Sequence, residues 1–187
     1  MIGTHDTMTY LDARSPLVHL FPGLWRTQSK GILEQYRAGV RFFDFRVFRD
    51  GHLWRMAHGV AEFDVTYSTL QALAKDVMKL LPGSRFRIWL EKGSDADWGQ
   101  FTKEGDALAQ HYKWALTQLV RKNPEVIYYR CPDYPDVVDL SFRDWNWKTV
   151  LYGLFRSPIR RWAKTHNINP TMEQRSDRST IYFMDFV

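Results

Sequence analysis

Two histidines in the first third of the chain have surroundings that permit proton transfer. His5 ends a short apolar segment at the N-terminus, and His58 ends a later extended segment. Because the unperturbed pKa of histidine is about 6.5, one imidazole can accept a proton near neutral pH while another donates one. Each histidine alone can equally be a structural residue whose ring is satisfied by a backbone group. The other histidines lack such a setting and are treated as background: His19, His52, His111 and His166.

Asp44 and Arg46 form a second constellation within a segment of aromatic and β-branched residues. Side chains alternate across a strand, so Asp44 and Arg46 share one face, while the other holds Phe43, Phe45 and Val47. The aromatic face suits packing under helices, which leaves the charged face in the interior, where unpaired charges are costly. The two charges can simply neutralise each other, but buried ion pairs add little net stability. Arginine is also the side chain that best matches phosphate through two parallel hydrogen bonds.

A frame of strands and helices must position these residues. Strands are predicted over residues 1–6, 40–48, 53–58, 86–91, 126–131 and 179–187. Helices are predicted over 29–38, 66–81, 98–122 and 158–166, the last with Ser157 as its N-cap and Pro158 at its first position, and residues 148–154 fit either a strand or a helix start. This alternation indicates an α/β fold with a mainly parallel sheet. A full eight-stranded barrel takes about 250 residues. A single domain over residues 1–187 therefore predicts a compressed or incomplete TIM-type (β/α) barrel.

Composition narrows the class of protein. No apolar run approaches the roughly 18–20 residues of a membrane-spanning helix, and no secretory signal pattern is visible. We therefore expect a cytoplasmic or peripheral membrane location. Cys131 is the sole cysteine, so no intramolecular disulfide can form. The net charge of +5 favours polyanions, but no nucleic-acid-binding module accompanies it, so we expect no nucleic acid partner. The sequence leaves the oligomeric state open.

Taken together, these segments resemble the catalytic X region of phosphatidylinositol-specific phospholipases C. The matching residues are Gly3-Thr4-His5-Asp6-Thr7, then Glu34-Gln35 with Ala38-Gly39-Val40-Arg41-Phe42-Phe43-Asp44-Phe45-Arg46, then His58-Gly59. Each piece alone is weak, whereas their order and spacing together are specific. The resemblance implies a phospholipase C-like phosphodiesterase of lipid metabolism, a phosphoric diester hydrolase or lyase. Its implied substrate is a phosphoinositide or a related phosphodiester.

The resemblance also implies a role for each residue. His5 looks like the general base that removes a proton from the inositol 2-hydroxyl, whose oxygen attacks phosphorus and forms a cyclic phosphodiester. His58 looks like the general acid that protonates the departing glycerol oxygen. Arg46 would stabilise the non-bridging phosphate oxygens, as a calcium ion does in eukaryotic members. Asp6 would support Arg46 and His58, and Asp44 would lie on the same pocket wall.

Further positions are assigned from the same resemblance. Asp185, in the final strand, would hold the base histidine in its working tautomer. Lys92 and Arg130 resemble substrate-contacting residues, although a solvated surface role fits both equally well. Glu91 aligns with a calcium-binding glutamate of eukaryotic members. Because Arg46 occupies the calcium position, we expect no metal and no other cofactor. The core set should converge on one pocket at the carboxyl ends of the strands: His5, Asp44, Arg46, His58 and Asp185.

Two other functions stay open. A non-catalytic module on the same barrel would bind phosphorylated headgroups, although binding phosphate needs no acid–base pair. A calcium-assisted hydrolytic phosphodiesterase would use Glu91, Asp6 and Asp44 as ligands, and insensitivity to chelators would exclude it. Residues 155–164, which mix aromatic and basic side chains, fit a peripheral contact with an anionic membrane. They fit equally a helix that covers the barrel and has a solvated basic face.

Overall fold

The computed structural model describes most of the chain. The described residues are 1–112, 115–119, 126–130, 136–139, 142, 146–167 and 180–187, and for 112, 115–119, 126–130 and 136–139 only the backbone is described. The strands are β1 (Ile2–Thr4), β2 (Phe42–Asp50), β3 (Leu53–His58), β4 (Ala61–Tyr67), β5 (Arg85–Lys92), β6 (Ala115–Leu119), β7 (Val126–Arg130), β8 (Asp136–Asp139) and β9 (Thr180–Met184). The helices are α1 (Pro16–His19), α2 (Ile32–Arg37), α3 (Leu70–Leu80), α4 (Asp95–Tyr112), α5 (Trp147–Phe155) and α6 (Pro158–His166). A single 3-10 turn at Pro22–Leu24 is called η1.

One mixed sheet joins these strands in the order β6-β7-β5-β2-β1-β9-β8. The strands β1, β2, β5, β8 and β9 pair in parallel, whereas β3, β4, β6 and β7 enter through antiparallel pairs. β5 occupies one edge of β2, so β1 and the β3–β4 hairpin share the other, at opposite ends of β2. An α/β fold is therefore confirmed.

The prediction of a mainly parallel sheet is wrong. Tight turns force consecutive strands to run antiparallel. Gly51, with φ of 63°, makes the turn between β2 and β3, and Gly59, with φ of 55°, makes the next one. Among the described strands, β6 and β8 are the ends of the order and no pairing joins them, so the sheet is not closed and the compressed or incomplete barrel that we expected is not confirmed.

The two faces of β2 carry different side chains, as their alternation predicts. Phe43, Phe45 and Val47 are buried in the main core, which they share with the apolar stripe of α3. Phe42 lies on the other face and packs edge-to-face on Phe183, with ring centroids 5.3 Å apart. Asp44 continues that second face toward the carboxyl end of the strand. Asp44 therefore lies on the same face of the sheet as the apolar contact between Phe42 and Phe183.

Several element boundaries differ from the predicted ones. The helix predicted over 98–122 ends at Tyr112, and residues 115–119 are strand β6 paired with β7. The start of the helix predicted over 66–81 belongs to β4, which the sequence reading missed together with β8. The ambiguous segment 148–154 lies inside helix α5. α6 begins as predicted, because the Ser157 hydroxyl accepts from Arg160 N at 3.1 Å.

Candidate active site

A sharp backbone turn follows β1 and presents His5 and Asp6. His5 N donates to Met184 O of β9 at 3.2 Å. Asp6 then adopts a φ of 48°, a left-handed conformation that costs free energy in a non-glycine residue. Two hydrogen bonds hold it there: Asp6 N donates to Asp44 Oδ2 at 3.2 Å, and Thr9 Oγ1 donates to Asp6 O at 2.9 Å. The neighbouring structure thus fixes the direction of both side chains.

The His5 ring has a different kind of partner at each nitrogen. Nδ1 lies 3.1 Å from Asp185 Oδ1 and 3.1 Å from Asp6 Oδ2, whereas Nε2 lies 2.8 Å from Arg46 Nη2. A guanidinium can only donate, so Nε2 must be the acceptor and the ring proton sits on Nδ1. Burial lowers the pKa of His5, but the charge of Asp6 and the hydrogen bond to Asp185 outweigh it and leave the pKa above its usual value. Protonation of Nε2 would break the contact with Arg46.

His58 lies at the end of β3 and has acceptors on both sides. Its Nδ1 is 2.7 Å from Trp25 O, and its Nε2 is 2.9 Å from Asp6 Oδ2. A carbonyl oxygen only accepts, and so does an ionised carboxylate. The doubly protonated imidazolium therefore satisfies both contacts. The centroids of the two imidazole rings are 6.2 Å apart, with Asp6 Oδ2 in contact with both histidines.

Arg46 occupies the centre of the cluster and is held by three carboxylates. Its Nε contacts Asp6 Oδ1 and lies 3.2 Å from Asp44 Oδ2, while Nη1 lies 3.2 Å from Glu91 Oε2. The guanidinium carbon lies 5.3 Å from the centroid of the Trp89 ring. Burial lowers the pKa of Arg46, but Asp6, Asp44 and Glu91 together raise it above its usual value. Arg46 is therefore a permanent cation.

Glu91 reaches Arg46 from an irregular part of β5. The register between β2 and β5 shifts there: Val47 pairs with Leu90, and Phe48 pairs with Lys92. Glu91 is therefore an extra residue, the β-bulge arrangement that re-aims a side chain. Its Oε1 accepts from Gly59 N at 2.8 Å while Oε2 contacts Arg46, so one carboxylate connects the end of β3 with the end of β5.

Asp44 and Arg87 form a fully buried pair beneath the histidines. Arg87 Nε donates to Asp44 Oδ1 at 2.6 Å, and the Asp44 side chain has no exposed surface. Burial raises the pKa of Asp44, but the charges of Arg87 and Arg46 lower it to about 2. The Arg87 guanidinium also lies 4.4 Å from the Phe183 ring centroid. The Asp44–Arg87 pair therefore connects the apolar residue Phe183 to the charged side chains around Arg46.

Asp185 follows β9 and is held on the side away from His5 as well. Its Oδ2 accepts from Phe142 N at 2.8 Å, so Oδ1 is directed at the imidazole. Gln28, which is completely buried, donates from Nε2 to His5 O at 3.0 Å and to Met184 O at 2.9 Å. Gln28 therefore fixes the relative position of the ends of β1 and β9, which His5 and Asp185 directly follow.

The remaining predicted residues are placed differently. Lys92 Nζ lies 2.7 Å from Glu62 Oε1 and 4.4 Å from the Phe48 ring centroid, in an exposed ion pair. These contacts favour the surface role that the sequence left open. Arg130 pairs with Arg87 across β7 and β5, but its side chain lies outside the described part of the chain. The structure thus brings six predicted residues together: His5, Asp6, Asp44, Arg46, His58 and Asp185.

His5, Asp6 and Asp44 could also be considered as metal ligands, because one donor atom of each lies within 4.8 Å of the others. Those atoms already face cations or N–H donors: Arg46 contacts all three residues, and His58 contacts Asp6. A divalent ion would have to displace the Arg46 guanidinium, which cannot lose its proton. The residues present therefore do not fit a resident calcium ion beside Arg46.

The sequence analysis missed two buried residues of the cluster, Arg87 and Gln28. Arg87 was detectable, because it alternates with Trp89 and Glu91 on one face of β5 while Ile88 and Leu90 are buried on the other. Gln28 gave no such signal. It lies outside the regular elements, and its partner Met184 is 156 residues away.

The fold is similar to that of the phosphatidylinositol-specific phospholipase C from Listeria monocytogenes. The two structures superpose with a TM-score of 0.57 and 18% sequence identity, over 100% of this chain and 87% of that chain. No protein-family model matches the chain. No curated protein matches it either. In the part of the chain that the structure describes, no helix is both long enough and apolar enough to cross a membrane.

Proposed function

We propose that this protein is a phosphodiesterase that cleaves a phosphoinositide-type phosphodiester by intramolecular attack. The observation that carries the proposal is the unlike state of the two histidines on either side of Arg46. His5 presents an Nε2 lone pair, whereas His58 has acceptors at both nitrogens, as a proton donor would. The likeness in fold to a phosphatidylinositol-specific phospholipase C supports the class of substrate.

In the proposed reaction, His5 Nε2 removes the proton of a substrate hydroxyl next to the phosphodiester. The hydroxyl oxygen forms a bond to phosphorus, and the bond from phosphorus to the departing alcohol breaks. His58 Nε2 gives its proton to the departing oxygen. The products are a cyclic phosphodiester and a free alcohol, with one proton gained by His5 and one lost by His58. Each positioned acid or base contributes about 10²–10⁴-fold in rate.

Arg46 links substrate binding to exposure of the base. At rest, Arg46 Nη2 donates to the same His5 nitrogen that must accept the substrate proton. A non-bridging phosphate oxygen is a stronger acceptor for a guanidinium than a neutral imidazole nitrogen is. The phosphate therefore draws Nη2 away and frees the Nε2 lone pair. We include Asp6, Asp44 and Asp185 as positioning residues, because each contacts at least one of the three reacting side chains.

The test is turnover of phosphatidylinositol by the purified protein, with phosphorus NMR to identify a cyclic phosphate product. His5→Ala and His58→Ala should each lower kcat by about 10²–10⁴-fold. His52→Ala is the matched control, because His52 is an exposed turn residue and its loss should leave the rate unchanged. A substrate with a much better leaving group should depend less on His58 while it still needs His5. Full activity of either alanine variant would remove that histidine from the reaction.

The pH profile and a chelator separate this proposal from its alternatives. The rate should rise with pH as His5 loses its proton, and because the pKa of His5 is raised, this limb should lie above about 6.5. A base and an acid that act together should give a bell-shaped pH profile. Activity that EDTA abolishes would favour a calcium-assisted reaction. Headgroup binding with no turnover under any condition would favour a binding module.

A further inference from the structure

Helix α5 exposes large apolar side chains, which an ordinary surface helix buries. Five of its residues are large, apolar and exposed, at spacings of three and four: Trp147, Val150, Leu151, Leu154 and Phe155. Phe155 is 83% exposed and Trp147 is 71% exposed. At about 3.6 residues per turn, this set forms one continuous stripe, which we call the α5 stripe. An amphipathic helix usually turns such a stripe toward the core, whereas here it faces solvent.

The opposite side of α5 is the side that packs. Gly153 lies there and is buried, and a Cβ atom in its place would clash with Leu24 Cδ2 of η1. Close contact through glycine therefore fixes the orientation of the helix. Asn146 caps its start, since Asn146 Oδ1 accepts from Thr149 N at 3.1 Å. The exposure of the α5 stripe thus follows from a defined packing arrangement.

Helix α6 packs against α5 and is basic. It buries Ile159 and Ala163, as a covering helix should. Its outer side, together with the residue that follows α5, carries four cations, which we call the α6 cations: Arg156, Arg160, Arg161 and Lys164. They line a surface cavity of about 600 Å³ together with Tyr152 and Ser157. None of the four forms a salt bridge with a carboxylate that the structure describes.

The charged residues in this part of the sequence are all basic. Residues 146–166 contain five lysines and arginines and no aspartate or glutamate, although the whole chain has a net charge of only +5. Lys148 adds its charge beside Trp147, with Nζ 5.7 Å from the ring centroid. The remaining residues of the chain, taken together, are therefore neutral. The basic character of the protein is concentrated where the apolar stripe is exposed.

We propose that α5 and α6 form a docking surface for an anionic lipid bilayer. A bilayer has two zones that match this surface. Its acyl chains can bury the α5 stripe, and its anionic headgroups can pair with the α6 cations. A second copy of this chain fits poorly, because a two-fold interface would bring the same cations together. A nucleic acid would neutralise the α6 cations but leave the α5 stripe in water.

The docking surface is connected to the histidine cluster. η1 packs against α5, and the residue that follows it, Trp25, accepts from His58 Nδ1. At the other end, Asn167, which follows α6, donates from its side-chain amide to Asp185 O. A bilayer bound to α5 and α6 would therefore lie against elements that hold both histidines. Docking does not depend on the proposed reaction, because it uses other residues.

The test is binding to vesicles, measured by flotation of the full chain. Vesicles of phosphatidylcholine mixed with phosphatidylserine in equal amounts should bind the protein, and vesicles of phosphatidylcholine alone should bind it far less. A basic residue near an anionic surface strengthens binding about fivefold, so R160Q/R161Q should weaken it about 25-fold. L151S/F155S should weaken binding by about 100-fold or more, because two apolar side chains no longer insert. Added salt should reduce binding of the wild type.

Helix α3 provides matched controls, because it exposes Lys75, Lys79 and Leu80. K75Q/K79Q and L80S should bind vesicles as the wild type does. Circular dichroism and thermal unfolding verify that all variants fold, which is expected for exposed positions. His58→Ala should lose turnover and keep vesicle binding, so failure of one proposal is distinguishable from failure of the other.

Three results would overturn the docking surface. The first is equal binding to the neutral and the anionic vesicles. The second is an unchanged affinity in both double variants. The third is a different occupant: a dimer in sedimentation that L151S/F155S dissociates, or an oligonucleotide that binds through Arg160 and Arg161 while anionic vesicles do not bind.

Discussion

Replacing Arg87 with methionine tests whether the buried pair beneath the histidines holds the cluster together. Arg87 Nε lies 2.6 Å from Asp44 Oδ1, and Arg46 Nε lies 3.2 Å from Asp44 Oδ2. Methionine keeps much of the aliphatic length and removes the charge. The carboxylate of Asp44, which has no exposed surface, then loses its nearest donor.

The expected decrease in the free energy of unfolding is large. Removing one partner of a buried ion pair costs about 3–5 kcal/mol, against a total free energy of unfolding of about 5–15 kcal/mol for an ordinary domain. A second effect depends on pH. The pKa of Asp44 is about 2 when folded and 3.8 when unperturbed, which corresponds to about 2.5 kcal/mol of stability. Because the folded pKa is the lower one, this stability is present above about pH 4 and is lost as the pH falls toward 2.

The assay is urea unfolding of four proteins: the wild type, R87M, D44N and the double variant. R87M should cost about 3–5 kcal/mol in the wild type but much less in D44N, where no buried carboxylate remains to be abandoned. R87M should also lose less stability than the wild type on acidification, because Arg87 is the main charge that lowers the pKa of Asp44. If R87M does not fold, R87K retains a charge and allows the same cycle. Additivity within about 0.5 kcal/mol would refute this account of the pair.

Two further changes probe the surroundings of the site. Glu91→Gln removes a carboxylate that competes for Arg46, so inorganic phosphate should bind about fivefold more tightly by calorimetry, a gain of about 1 kcal/mol for a partly exposed contact; unchanged affinity would contradict that competition. Gly23→Ala places a Cβ 2.7 Å from the backbone oxygen of Gly153 and should cost about 1–3 kcal/mol in urea unfolding. The control Gly99→Ala, in an open helical position, should gain about 0.5–1 kcal/mol, and equal shifts would refute the packing argument.

The strands that build the site were predictable because alternation fixes a face. In β2, Asp44 and Arg46 fall on the face opposite Phe43 and Phe45, as the sequence indicates. In β4, Ala61 and Phe63 are buried, and the same alternation was present in the sequence, although residues 61–65 were assigned to no element and 66–67 to a helix. Local signals therefore suffice where one face of a strand is buried.

The rest depends on contacts that sequence distance hides. Residues 115–119 carry good helix formers, and pairing with β7 overrides that local preference. Asp185 reaches His5 across 180 positions of the chain, and only the resemblance to a family indicated that contact. The α/β class of the fold could be predicted from the sequence. The antiparallel strand pairs that interrupt the parallel sheet could not be predicted.

The charges of the cluster distinguish a site that moves protons from a site that only binds an anion. Four carboxyl groups, Asp6, Asp44, Glu91 and Asp185, surround two guanidinium groups, Arg46 and Arg87. With all four ionised, these six groups carry a net charge of −2, so an imidazolium at His58 brings the buried charge closer to balance, and the same negative charge agrees with the raised pKa of His5, the group that takes up a proton in the proposed reaction. A site selected only to hold a phosphate would gain from excess positive charge. Excess carboxylates next to two histidines are instead suited to setting where protons reside, and that is the requirement of acid–base chemistry.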